Sequence, residues 1–443
     1  MQTFNLRSVR IACAVMLACS AGLAGAQTTD SIVLTFATVG DSRQDNAAPD
    51  PTQLPLTGQD QMWMQNTKAF SRILREISAK KANLFFFNGD MVLGYGNANA
   101  PASVTDVPSV INSDLVRFYT QYAYWRGMVA TLMENGTYVV PVPGNHEIQC
   151  RTATTPGAIN STSGAYVPQV ICGTASTNGS GALVDSLGSV NGGKNALAQN
   201  ENAFRANMGD LILDQTRLPA MLPNGLTLSN VDTTDHSALD YPFITGNAHV
   251  TAASPQNQLS YSFDVGTTHF AVINNDVSGG NDNTAPVNWL QQDFAAAQQR
   301  GQTNFFVFGH KPAYTYNYAG NNGKAGGLDA NAYTTANRDA FWSVIQAYGA
   351  TYFCGHEHTF NMSQPMPAPS GSTLPASWQV LVGSGGSPFD PKVTTSGLAP
   401  TDRDYVYAIV NVYQSGNVVV NVYGFTAAYG PTKLIGQVTV PAL

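Results

Sequence analysis

The sequence predicts an α/β fold, and three observations carry that prediction. From residue 31 to about 147, short apolar runs alternate with stretches whose apolar residues recur at helical spacing. This is the pattern of βαβ units around a largely parallel sheet. Several of the apolar runs end in a glycine followed by a side chain able to bind a metal. No internal repeat is present, and no long apolar run follows the first 26 residues.

The elements follow in order. Ser31–Val39 (SIVLTFATV) reads as a buried strand, and Met62–Lys80 as a helix with Phe70, Ile73, Leu74 and Ile77 on one side. Asn83–Phe87 is a second strand, Leu115–Met133 a second helix and Thr137–Val142 a third strand. Residues 151–199 are rich in Gly, Ser, Thr and Asn and show little periodicity, so a long loop-rich insertion is expected at about 148–245. Within it Glu201–Gln215 looks helical. Strands are expected at Leu259–Asp264, His269–Asn274, Asn304–Phe308, Thr351–Phe353 and Trp378–Val382. Helices are expected from about Pro286, carrying Trp289, Leu290 and Phe294, and over Thr335–Tyr348. Tyr405–Phe425 alternates like an antiparallel hairpin turning at Ser415-Gly416-Asn417.

The first residues fit export. Arg7 and Arg10 precede a mostly apolar stretch, Ile11–Leu23, and Ala24-Gly25-Ala26 forms a small-residue cleavage site. Residues 1–26 are read as a signal peptide, residues 27–443 as one domain, and the protein as secreted or periplasmic with no membrane span. Charged residues make up only 11% of the chain, against about 25% in ordinary domains. Without Arg7 and Arg10 the chain carries nineteen basic and 28 acidic residues, about −9 net. That balance argues against nucleic acid or an anionic membrane as a partner. Cys150 and Cys172 can close a disulfide in an oxidising compartment, whereas Cys354 ends an apolar run and reads as a buried thiol.

Chemistry concentrates at the strand ends. The five turns are Gly40-Asp41, Gly89-Asp90, Gly144-Asn145-His146-Glu147, Gly309-His310 and Gly355-His356-Glu357-His358. They hold four of the seven histidines. The carboxyl ends of strands are where sites assemble in open α/β sheets. Carboxylate, amide oxygen and imidazole suit Mn, Fe, Zn or Ni, and the scarcity of cysteine argues against a structural zinc. His269, inside a strand, reads as a satisfied core histidine, and His236 and His249, in polar sequence, as surface residues. Tyr314, Tyr316 and Tyr318, and Lys311 after His310, are weaker candidates for the cleft.

As a set, the five turns resemble the calcineurin-like metallophosphoesterases, whose pattern is GD, GD, GNH, GH and GHxH, over most of the mature chain. YSFDVGTTHFAVIN and LVGSGG look like the purple-acid-phosphatase branch, a looser match. The resemblance implies a four-layer α/β/β/α sandwich of two mixed sheets flanked by helices. It implies two divalent transition metal ions. Asp90 would bridge them, Asn145, His310 and His356 would complete one site, and Asp41 and His358 would belong to the other. His146 would be the acid for the leaving oxygen, and Glu147 would orient its loop. A metal-bound hydroxide would attack the phosphorus of a small-molecule phosphate ester. A phosphomonoester is slightly favoured, with phosphodiesterase or nucleotidase action next and a non-catalytic binding protein as the rival class.

Two departures thin the first site. Relatives often carry a histidine two residues after the first aspartate, and here that residue is Arg43. The purple branch has a tyrosine three residues after the bridging aspartate, and here that residue is Leu93. A tyrosinate–iron centre is therefore not expected, and waters, Gln44 or Asn46 would have to replace the missing ligand. Arg43 is expected to clamp substrate phosphate with its planar fork, the alternative being a salt bridge, for example to Asp45.

Overall fold

In the strand Leu84–Asn88 successive side chains point to opposite faces. Phe86 points inward and stacks on Phe308 of another sheet, with ring centroids 3.7 Å apart. Phe87 points outward, against Phe70 at 5.4 Å and Trp125 at 5.1 Å. Those two rings belong to the helices Thr67–Ala79 and Asp114–Glu134, which cover that face. On the other sheet Phe306 packs inward against Phe36 at 4.9 Å, while Phe305 packs outward against Phe294 of the helix Val287–Gln299. Helix, sheet, sheet and helix are therefore four successive layers, with an aromatic core between the sheets, as the resemblance implied.

The computed structural model describes residues 30–43, 67–99, 107–111, 113–151, 194–223, 225–244, 253–278, 282–316, 326–330, 332–390 and 403–442. It also describes short strand pieces between 155 and 184 and between 393 and 398. Gln44, Asp45, Asn46, Cys172, His249 and Tyr318, and the signal-peptide segment, lie outside the described residues. Among the described residues no helix is long and apolar enough to cross a membrane.

The first sheet has six strands in the order Lys433–Val440, Val418–Thr426, Asp404–Tyr413, Ile32–Val39, Leu84–Asn88, Tyr138–Val142. The last three are parallel, and the C-terminal strands join antiparallel. The second sheet has seven strands. Thr268–Val272, Asn304–Phe308, Thr351–Cys354 and Gln379–Val382 run parallel, with antiparallel strands at both margins. Both sheets are therefore mixed rather than largely parallel. Register brings Val39 opposite Phe87 and Asn88 opposite Val142 in one sheet, and Phe308 opposite Phe353 in the other. All five ligand turns consequently leave the same edge of the sandwich. There the Gly40 N–H donates to the Val382 carbonyl at 2.9 Å and ties the sheets together.

Two expectations need correcting, the helix at Glu201–Gln215 and the place of His236, whereas the readings of His269 and Cys354 hold. The helix expected over Glu201–Gln215 spans Ala198–Met208, and the chain then turns through Gly209 and Leu213, whose φ is +55°. His236 is buried rather than superficial, because its ring stacks on Trp289 at 4.3 Å. His269 is a core residue held between Asp264 and Asp293. Cys150 is disulfide-bonded, and Cys354 is a free buried thiol.

Candidate metal centre

Asp41, Asp90 and His356 have φ of +62°, +59° and +74°. Residues with a Cβ avoid this region, and each such conformation costs about 1–3 kcal/mol. The strain turns three ligand side chains back over the strand ends. Neighbouring glycines permit the crowding. A Cβ on Gly89 would lie 2.6 Å from the Gly144 Cα, and one on Gly355 would lie 2.3 Å from Asp41 Oδ2. Asp41, Asp90 and His310 offer ligand atoms within 4.8 Å of one another, all buried.

One half of the site gathers unshared electron pairs. His310 Nδ1 is 2.7 Å from the Asn88 carbonyl oxygen, so Nδ1 carries the proton and Nε2 the lone pair. That lone pair faces Asn145 Oδ1 at 2.7 Å and Asp90 Oδ1 at 3.2 Å, both acceptors. His356 Nδ1 is 2.8 Å from the same Asn145 oxygen and 3.1 Å from His310 Nε2. Burial pushes His310 below its ordinary value and so favours the neutral, ligating ring. The His310, Asn145 and Asp90 acceptors repel one another unless a cation, or a proton on His356 Nδ1, lies between them. Donors around an octahedral ion with bonds of about 2.1 Å sit roughly 3 Å apart, so the residues fit an ion here.

The other half already holds a cation. Arg43 Nη1 is 3.1 Å from Asp90 Oδ2, hydrogen-bonds His358 Nε2, and lies 3.9 Å from Asp41 Oδ1. His358 Nδ1 donates to the Pro388 carbonyl at 2.5 Å, which leaves its Nε2 to accept. Burial, and next the Arg43 charge, push the His358 ring below its ordinary value. Asp41 Oδ2 accepts the His356 N–H at 2.8 Å, but its Oδ1 is buried without a hydrogen bond. Burial and then the Asp90 charge raise the Asp41 carboxyl, against the pull of Arg43. For Asp90, burial works upward, but His146, His310 and Arg43 outweigh it and hold the carboxyl below the usual range.

Three further residues fix this geometry. Glu147 accepts four backbone N–H groups, from Asp90, Met91, Val92 and Gly144, at 2.7–3.0 Å. Its carboxylate thus staples the second and third ligand turns together. His146 Nδ1 donates to the Leu93 carbonyl, so Nε2 is the ring atom turned toward Asp90, 3.7 Å from Oδ2. Tyr95 packs its ring on His146 at 3.8 Å, and its hydroxyl accepts from Asn145 Nδ2. That bond aims the Asn145 oxygen at the imidazoles.

Arg43, Asp41, Asp90, Asn145, His146, His310, His356 and His358 therefore converge. Lys311 does not join them, because its ammonium is turned onto Asp276 and Asn283, each at 2.5 Å. Tyr314 packs its ring edge-on against Trp342 and under the Arg338 guanidinium. Tyr95 escaped sequence reasoning, since it lies in no motif and reaches the site only through the fold of its loop.

The sequence profile of the calcineurin-like phosphoesterases matches residues 35–360, and the chain belongs to that family. It is a metallophosphoesterase, a hydrolase of phosphoric esters, and the family implies a two-metal centre. No curated protein matches the sequence. Among solved structures, a purple acid phosphatase from yellow lupin (Lupinus luteus) seeds is 13% identical with a TM-score of 0.47. The alignment covers 93% of this chain and 54% of that one, so the chain spans about half the length of the lupin protein. A dimetal phosphatase from Danio rerio is 9% identical with a TM-score of 0.42, over 93% of this chain and 99% of the other. A protein from Thermus thermophilus is 8% identical with a TM-score of 0.34, over 86% of this chain and 94% of the other.

Proposed function

We propose that this chain is an exported phosphomonoesterase, with phosphodiesters and nucleotides as the nearest alternative substrates of the same site. The observation that carries the reading is the convergence of His310 Nε2, His356 Nδ1, Asn145 Oδ1 and Asp90 Oδ1 with no proton to share between His310 and its acceptor neighbours. These four atoms would hold Mn, Fe, Zn or Ni. An ion there supplies Lewis acidity toward a phosphoryl oxygen and lowers the pKa of water.

The chain's own groups do the rest. His146, with Nδ1 committed to Leu93, keeps Nε2 for a proton to the leaving oxygen. Arg43 presents fixed positive charge to the phosphate. The basic start, apolar stretch and small-residue site of residues 1–26 support export, as does the disulfide at Cys150.

The test is paired hydrolysis of p-nitrophenyl phosphate and bis-p-nitrophenyl phosphate by purified mature protein, with each of the four metals and with chelator. Metal-dependent turnover that is faster on the monoester is expected. No turnover of either ester with any of the metals would overturn the reading.

A further inference from the structure

We propose that the Arg43 guanidinium occupies the place of the first metal ion. The centre then holds a single ion, and its second positive charge belongs to the chain. The proposal rests on the metallophosphoesterase reading and specifies how that site is built.

The three donors that the family pattern assigns to the first ion are Asp41, Asp90 and His358. All three surround one nitrogen, Arg43 Nη1. It lies 3.1 Å from Asp90 Oδ2 and 3.9 Å from Asp41 Oδ1, and it hydrogen-bonds His358 Nε2. A guanidinium has N–H donors and no acceptor, so it can take up a carboxylate and an imidazole lone pair together, as an ion would. His358 is oriented for this, since its other ring nitrogen is committed to the Pro388 carbonyl.

The position is built rather than incidental. The Arg43 side chain is 9% exposed. The Ser387 hydroxyl donates to the Arg43 carbonyl at 3.4 Å, and the Ser387 N–H ties the same turn by donating to the Asp41 carbonyl at 2.9 Å. Relatives often place a ligating histidine at this point, two residues after the first aspartate. Here the side chain at that point is itself the cation.

Charge makes the replacement exclusive. Arginine stays protonated at any pH a protein survives, so it cannot yield to a metal by losing a proton. Asp41, Asp90 and Arg43 together carry one negative charge. One divalent ion in the His310 half brings the group to +1. A second would bring it to +3, with that ion placed against a permanent cation. The two halves of the site differ in this respect. Lys311, next to His310, is turned away onto Asp276, and the His310 half presents lone pairs instead of a cation.

The experiment loads purified protein with excess Mn(II), removes loosely bound metal, and counts manganese per chain by mass spectrometry alongside the electron paramagnetic resonance spectrum. Wild type is expected to hold one ion per chain with the six-line signal of an isolated Mn(II). Arg43→His and Arg43→Ala are expected to rise toward two ions, with the altered spectrum of a coupled pair in Arg43→His. Two ions per wild-type chain would overturn the proposal while leaving the hydrolase reading intact. No ion at all would overturn both. One ion in wild type and still one in both variants would remove Arg43 as the cause and overturn the proposal. The wild-type count decides by itself if neither variant folds.

Discussion

Glu147 Oε2 accepts the Asp90 N–H at 2.8 Å, so the carboxylate of one ligand turn holds the backbone of the other. Its Oε1 takes Met91 and Val92, and Oε2 also takes Gly144. Glu147→Gln would aim an NH₂ group at two N–H donors. The expected result is a loss of about 1–3 kcal/mol of stability, the cost of buried donors left unsatisfied. Metal affinity should fall as well, read by thermal unfolding with and without Mn.

Tyr95 orients Asn145 through its hydroxyl. Tyr95→Phe keeps the ring against His146 and removes the hydroxyl that holds Asn145. Groups that orient metal ligands typically contribute 10–100-fold to affinity. Calorimetric titration with Mn or Zn should show a loss of about that size while the melting temperature changes little.

Much of this site is legible from the chain. The five glycine turns bring their side chains together because a parallel strand ends where its apolar run ends, and register aligns those ends. What stays hidden depends on tertiary packing. His236 sits in polar sequence, yet it is buried by stacking on Trp289 from a distant helix. The strand Leu228–Asp232 is at a sheet edge and half exposed, so it carries no apolar alternation to read. The placement of Arg43 has a sequence signal, a cation where a ligand is expected. Only the fold shows that it sits between Asp41, Asp90 and His358.

The buried ion network around His269 predicts a pH dependence of stability. Burial works to lower the ring, but its hydrogen bonds to the Asp264 and Asp293 carboxylates outweigh it and raise His269 above its ordinary value. A raised histidine stabilises fully below its unfolded value of about 6.5, and that contribution is lost as pH rises through the folded value. The melting-temperature advantage of wild type over His269→Gln should therefore be larger at pH 5.5 than at pH 9. An equal advantage at both would remove the charged network.

Phe86 and Phe308 lie at 3.7 Å with planes within 3° across the sheet interface. Phe86→Ala opens a cavity between the layers directly beneath the ligand turns. A loss of about 3–5 kcal/mol is expected in denaturant unfolding.

Metal content and p-nitrophenyl phosphate turnover, measured together on wild type, Asp90→Ala and His310→Ala, test the account most directly. Both variants should remain folded, lose bound metal, and lose turnover by at least about 100-fold, more than removal of an orienting partner alone would cost. Folded variants that keep the wild-type rate would contradict it.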